Sequence, residues 1–229
     1  RGDPLDPISS DWPRPMFSKD QNDGFVGRRP LRNYYFGAAV LPQPEASYGD
    51  HRVVDWAIEQ LMRKRSKPQF LAVGLFRPHI PWEVSARWFE FYPLDSVQLP
   101  VVRKDDLGDA HDHGRRAWHR WVTDNDQWKL LMQGYLASIS YVDHQLGRLL
   151  DALEASPKRS ETVVVLWSDH GFHIGEKENW EKFALWDQTT RVPLFIHAPG
   201  ISRDGMRTRQ PTTLTDLYPT LCELAGLPI

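Results

Sequence analysis

Three short apolar runs set the class of fold open to this chain. They are Gln69-Phe70-Leu71-Ala72-Val73-Gly74-Leu75-Phe76, Glu161-Thr162-Val163-Val164-Val165-Leu166-Trp167, and Val192 to His197. Each is long enough for one buried strand and too short for a buried helix. The first two follow segments with helical spacing. From Asp50 to Ser66, Val54, Ile58, Leu61 and Met62 recur on one face, with Asp50 as candidate N-cap. From Asp126 to Ala155, the stripe runs through Leu130, Leu131, Tyr135, Ile139, Val142, Leu146, Leu149 and Leu153. A last helix is expected from Leu217 to Ala225, capped by Asp216 and closed by Gly226. Helices alternating with buried strands predict an α/β chain: a mixed, mostly parallel sheet flanked by helices.

The ends of those strands bear the chemistry. In open α/β sheets, ligands bind beyond the carboxyl ends of the strands. The first run ends in Arg77-Pro78-His79-Ile80-Pro81-Trp82, where two prolines enforce a rigid loop. The second ends in Ser168-Asp169-His170-Gly171. Residues 1 to about 50, punctuated by Pro4, Pro7, Pro13, Pro15 and Pro30, read as irregular, as do residues 93–123.

Composition narrows the function. A 41% hydrophobic and 25% charged chain of 229 residues is expected to fold. A formal net charge of -2 gives no electrostatic reason for a nucleic-acid partner. No run approaches the roughly 20 apolar residues of a membrane span. The single cysteine, Cys222, excludes an internal disulfide and a Cys-type zinc cluster.

Each candidate has a plainer reading beside it. Asp169 and His170 at a strand end fit two metal ligands, with Gly171 allowing close backbone approach, or fit local backbone caps. His79 fits a donor to an anion or leaving oxygen, or a surface histidine between prolines. Lys182 suits a tetrahedral oxyanion. Spacing alone does not separate it from Lys177, because Glu176, Glu178 and Glu181 also fit a solvated face. His111, His113 and His119 invite a metal reading that no Cys or acidic partner completes. Trp82, Trp180 and Trp186 fit sugar stacking or packing, and are read as packing.

Together the segments resemble the sulfatase family of the alkaline-phosphatase superfamily, in its iduronate 2-sulfatase-like branch. Three blocks carry the resemblance: Phe70 through Trp82; Gly134 to Asp143 with Gly147 to Leu150; and Ser168 to Glu176, then Trp180-Glu181-Lys182, then Thr190 to Leu194. The resemblance implies sulfate-ester hydrolysis, on a sulfated carbohydrate. The family oxidises a Cys or Ser in Cys/Ser-x-Pro-x-Arg to formylglycine, whose hydrated aldehyde attacks sulfur. Calcium offsets the charge on the sulfate oxygens. Carried over residue by residue, Asp169 and His170 become metal ligands, while His79 and Lys182 become sulfate contacts and catalytic groups. The resemblance selects Lys182 over Lys177. Its compartments are periplasmic, secreted or lysosomal.

No Cys/Ser-x-Pro-x-Arg occurs in the chain, and Cys222 is followed by Glu223-Leu224. Residues 1–229 are therefore expected to be the downstream part of a catalytic domain, inactive alone. The upstream segment is expected to complete the sheet. Two rival functions share the residues: a phosphodiesterase or phosphonate monoester hydrolase of the same superfamily, and a non-catalytic fragment that binds sulfated glycans.

Overall fold

The computed structural model describes residues 36–103, 106–108 and 116–228. The chain is built around one long helix, α4 (Trp128–Glu154). Before it come β1 (Ala38–Val40), α1 (Gly49–Met62), β2 (Trp82–Val84), α2 (Ala86–Phe89) and α3 (Arg116–Asp124). After it come β3 (Val164–Trp167), β4 (His173–Ile174), β5 (Trp180–Glu181), α5 (Asp187–Thr190), β6 (Leu194–His197) and α6 (Leu217–Leu224).

Among the described residues the strands form three two-stranded ladders. β1 and β2 pair in parallel, with Ala38 opposite Trp82. β3 and β6 pair antiparallel, as do β4 and β5. The mixed α/β class thus stands, with a partial sheet.

The face α4 buries differs from the expected leucine stripe. It runs through Leu131, Gly134, Ala137, Ser138, Tyr141 and Gln145. Small residues hold this face because β1 and β2 lie directly on it. A Cβ on Gly134 would sit 2.3 Å from the Cβ of Ala38. The leucines further along are only partly covered, and Leu150 is exposed. α1 packs beside α4 through Val53, Val54 and Ala57. Arg148 reaches from α4 to Asp55. Lys158 donates to the carbonyls of Leu61 and Arg63, both at 2.8 Å, satisfying C-terminal groups of α1.

The core cluster is aromatic. Phe36, Trp82, Trp118 and Trp180 are all nearly fully buried, and Phe36 touches the other three rings at 4.6–6.0 Å. Apolar contact area of this kind dominates core stability.

Several local expectations are corrected. Asp50 is not the cap of α1. It lies inside the helix, and its carboxylate accepts the Phe76 and Arg77 amides instead. The run 69–76 joins no ladder among the described residues, and Phe70 is 80% exposed. An apolar run becomes a strand only where a neighbouring backbone answers its amides and carbonyls. β3 and β6 are strands, yet Trp167 and Phe195 on them are exposed. Part of 93–123 is helix: α3 packs Trp118 and Val122 into the core. Asp216 points backward, accepting the Thr213 amide at 2.7 Å. Gly226 closes α6 as expected, with φ 65°. No helix among the described residues is long and apolar enough to cross a membrane.

Candidate active site

His79 sits in the turn that leads into β2. The turn closes through its own amide, which donates to the Phe76 carbonyl at 2.9 Å. The Trp82 indole N–H donates to the Pro78 carbonyl at 2.8 Å. Both Arg77–Pro78 and Ile80–Pro81 bonds are cis. The His79 Nδ1 lies 2.6 Å from the Ile80 carbonyl oxygen. A carbonyl only accepts, so Nδ1 carries the proton and Nε2 is left with its lone pair. That Nε2 lies 3.4 Å from Lys182 Nζ.

Lys182 is brought there by the β4–β5 hairpin. His173 pairs with Glu181 and Ile174 with Trp180. The bend needs a glycine: Gly175 has φ 118°, and a Cβ would sit 2.3 Å from the Trp128 ring. The Trp128 indole, at the start of α4, donates to the Ile174 carbonyl at 2.8 Å. Lys177, Glu178 and Glu181 all have positive φ, between 50° and 70°. Left-handed backbone at non-glycine residues costs about 1–2 kcal/mol each. Such strain gathers where surrounding structure holds a site in place.

Lys177 does not face His79. Its Nζ binds Asp106 Oδ1 at 2.6 Å and lies 4.4 Å over the Trp186 ring. Of the two lysines, Lys182 is the one whose Nζ meets His79.

Asp169 and His170 follow β3. The His170 Nδ1 lies 2.8 Å from the Gly171 carbonyl, so it too is the protonated nitrogen when the ring is neutral. Its Nε2 lone pair then lies 3.5 Å from Asp169 Oδ2. The Asp169 side chain is 82% exposed. Two lone-pair atoms facing one another favour a cation between them or beside them, so this pair fits two ligands of a divalent metal. Among the described residues no group of three or more His, Cys, Asp or Glu side chains forms a complete metal set. Gly171 must be glycine: a Cβ would sit 2.0 Å from the Gln188 carbonyl oxygen, and its amide donates to the Thr189 carbonyl at 2.9 Å.

The two halves share one electrostatic environment. Burial, first of all, holds His79 below the ordinary imidazole range, against the hydrogen bond to Ile80. The charges of Lys182, His170 and Arg77 push the same way as burial. His79 is thus neutral, a lone-pair donor facing an ammonium.

The other candidates fall elsewhere. Trp82 and Trp180 are core residues, and Trp186 lies under Lys177. His119 is buried, with its ring 4.9 Å from that of Trp128. His111 and His113 lie outside the described residues. Three residues to which the sequence reading gave no part in the site surround the His79 turn: Asp50, Arg77 and Glu83. Only Arg77, inside the first block, was within sight of it.

Residues 9–227 match the sulfatase family profile. The chain belongs to the sulfatase family. It is 40% identical over 218 residues to a sulfatase of Formosa agariphila, covering 90% of this chain and 42% of that protein. It is 29% identical over 231 residues to iduronate 2-sulfatase of Homo sapiens, covering 83% of this chain and 42% of that protein. The chain therefore spans less than half the length of these curated sulfatases. Its fold also matches phosphonate monoester hydrolase from Silicibacter pomeroyi, with a TM-score of 0.74 and 22% identity, over 97% of this chain and 47% of that one. This sulfatase-family chain thus shares the fold of a solved hydrolase of a different ester.

Proposed function

We propose that the whole protein hydrolyses sulfate esters, and that residues 1–229 are the downstream part of its catalytic domain. The observation that carries this reading is the contact between Lys182 Nζ and His79 Nε2 at 3.4 Å. A hard cation, calcium by family, fits beside Asp169 and His170; when bound it supplies positive charge to the sulfate oxygens. His79 and Lys182 are the catalytic and substrate-binding pair. The Lys182 ammonium holds a sulfate oxygen by charge. His79, neutral and protonated at Nδ1, accepts at its Nε2 a proton shared by Lys182 Nζ. That shared proton is placed to reach the departing oxygen of the ester. The nucleophile is formylglycine by family.

The substrate is a sulfated carbohydrate. Support comes from the relative whose name is iduronate 2-sulfatase, which acts on a sugar acid. Among the described residues β3 and β6 pair only with each other, and their other edges are where the upstream segment would complete the sheet.

The test compares the whole protein on an aryl sulfate, an aryl phosphodiester and a phosphonate monoester, with and without chelator. Turnover of the sulfate that is lost with chelator and restored by calcium supports the proposal. Faster turnover of either phosphorus ester moves the assignment to that class. Binding of sulfated oligosaccharide with no turnover leaves only a binding protein.

A further inference from the structure

Around the His79 turn lie two carboxylates and one guanidinium, those of Asp50, Glu83 and Arg77. Asp50 is 4% exposed, yet both of its carboxylate oxygens are used. Oδ1 accepts the Phe76 amide at 2.6 Å, and Oδ2 accepts the Arg77 amide at 3.0 Å. The first turn of α1 thereby fixes the backbone at the entry to the turn. Arg77 does the rest with its side chain. Its Nε donates to the Glu83 carbonyl at 3.1 Å, and its NH1 donates to the His79 carbonyl at 3.4 Å. The turn is held at its entry, at its catalytic residue and at its exit in β2.

These hydrogen bonds run to backbone carbonyls rather than to the Asp50 or Glu83 carboxylates. A guanidinium placed only to offset buried charge pairs best with a carboxylate, two bonds to two oxygens. This one is spent on the peptide next to the imidazole. Orienting the His79 carbonyl sets the plane of the His79–Ile80 peptide. The following carbonyl, of Ile80, is the one that takes the Nδ1 proton at 2.6 Å.

The geometry points to Arg77, anchored by Asp50, as a positioning residue that sets the tautomer and aim of His79 toward Lys182. This inference rests on the reading of His79 as a catalytic group. Arg77 itself touches no reacting atom; its action passes through the backbone. A group that orients the carbonyl facing an imidazole fixes which ring nitrogen is protonated.

The experiment uses Arg77→Met, Arg77→Lys and Asp50→Asn in the whole protein. One readout is the 15N NMR signature of the His79 ring, which distinguishes the Nδ1–H from the Nε2–H tautomer. The other is kcat and KM on an aryl sulfate, per folded molecule. In the parent protein the ring is expected as the Nδ1–H form. Arg77→Met mixes the tautomers and lowers kcat on the order of tenfold to a hundredfold, the scale of a small misplacement, with a smaller change in KM. Arg77→Lys, which keeps one donor, recovers part of both. Asp50→Asn, which keeps one acceptor oxygen, shifts the ring signal less than Arg77→Met does.

A folded Arg77→Met with an unmixed Nδ1–H signal and unchanged kcat overturns the inference. If Arg77→Met does not fold, an unchanged tautomer and kcat in both Arg77→Lys and Asp50→Asn overturns it instead. The ring signal is read without turnover. A parent protein that cleaves no sulfate ester therefore defeats the proposed function, while the tautomer still decides the positioning role.

Discussion

Lys182 and His79 stand 103 positions apart in the chain and 3.4 Å apart in space, nitrogen to nitrogen. The β4–β5 hairpin presents the ammonium, and the proline-braced turn presents the imidazole. Lys182 is one of the charges that hold His79 below the usual imidazole range. Replacing it with methionine removes that charge and keeps much of the side-chain volume. Lys182→Met is therefore expected to raise the His79 pKa, read from an NMR titration of the ring. An unchanged or lowered value would mean the two side chains do not face each other in solution.

Burial pushes the Glu83 carboxyl up to about 7 from an ordinary 4.5, against the pull of Arg77. The sign follows from proton counting. Between those values the folded state holds a proton that the unfolded state has released, so stability falls as pH rises through that window. Above pH 7 the loss is complete. Glu83→Gln removes the titration. Its stability relative to the parent should grow from pH 5 to pH 8 in paired denaturant melts. A difference that does not vary with pH contradicts the placement of Glu83.

Gly171 joins the Asp169–His170 pair to the α5 segment. With a Cβ only 2.0 Å from the Gln188 carbonyl oxygen, Gly171→Ala must displace backbone on one side or the other. We expect a loss of about 1–3 kcal/mol, as for other overpacked sites. On the metal site proposed at Asp169 and His170, weaker calcium binding by the whole protein should accompany it. Wild-type stability and calcium affinity in this variant would show that the two segments are not packed as described.

Two glycines of α4 make opposite predictions. Gly134 has the Ala38 Cβ at 2.3 Å from the position of an added Cβ, whereas Gly147 has nothing within 4 Å. Gly134→Ala should pry β1 off the helix and destabilise by about 1–3 kcal/mol. Gly147→Ala should stabilise by up to about 1 kcal/mol, the helix-propensity difference. Thermal melts of the two variants side by side test the assigned helix face. The same sign in both would refute it.

Much of this was legible in the residues. The helices showed because their apolar periods run long, and the His79 turn and the loop after β3 showed because prolines and glycines punctuate them. Asp169, His170 and His79 stood out because they lie in those loops; Lys182 came only from the family resemblance, and the structure sets it beside His79. The buried face of α4 was misjudged because its small residues carry no hydrophobic signal. Gly134 and Ser138 are buried by what packs on them, and sequence periodicity is blind to that. The use of Asp50 was hidden for a similar reason. An acidic residue at a helix start reads as a cap, whereas its partners here lie 26 and 27 residues away. Strand formation by 69–76 depends on a partner backbone, which an apolar run cannot specify by itself.

The clamps at either end of the connection from α1 to the His79 turn have one more effect. Lys158 holds the carbonyls of Leu61 and Arg63, and Asp50 holds the amides of Phe76 and Arg77. Between them, residues 64–70 are exposed. The geometry of the turn is thus insulated from the length of the tether that leads to it. A peptide tag grafted between Lys64 and Lys67 would lengthen a loop whose ends are already pinned, and doubling a loop adds only about 0.6 kcal/mol of closure entropy. This stretch is where a label or affinity handle can be carried a few residues from the site's anchor without disturbing the aim of its histidine.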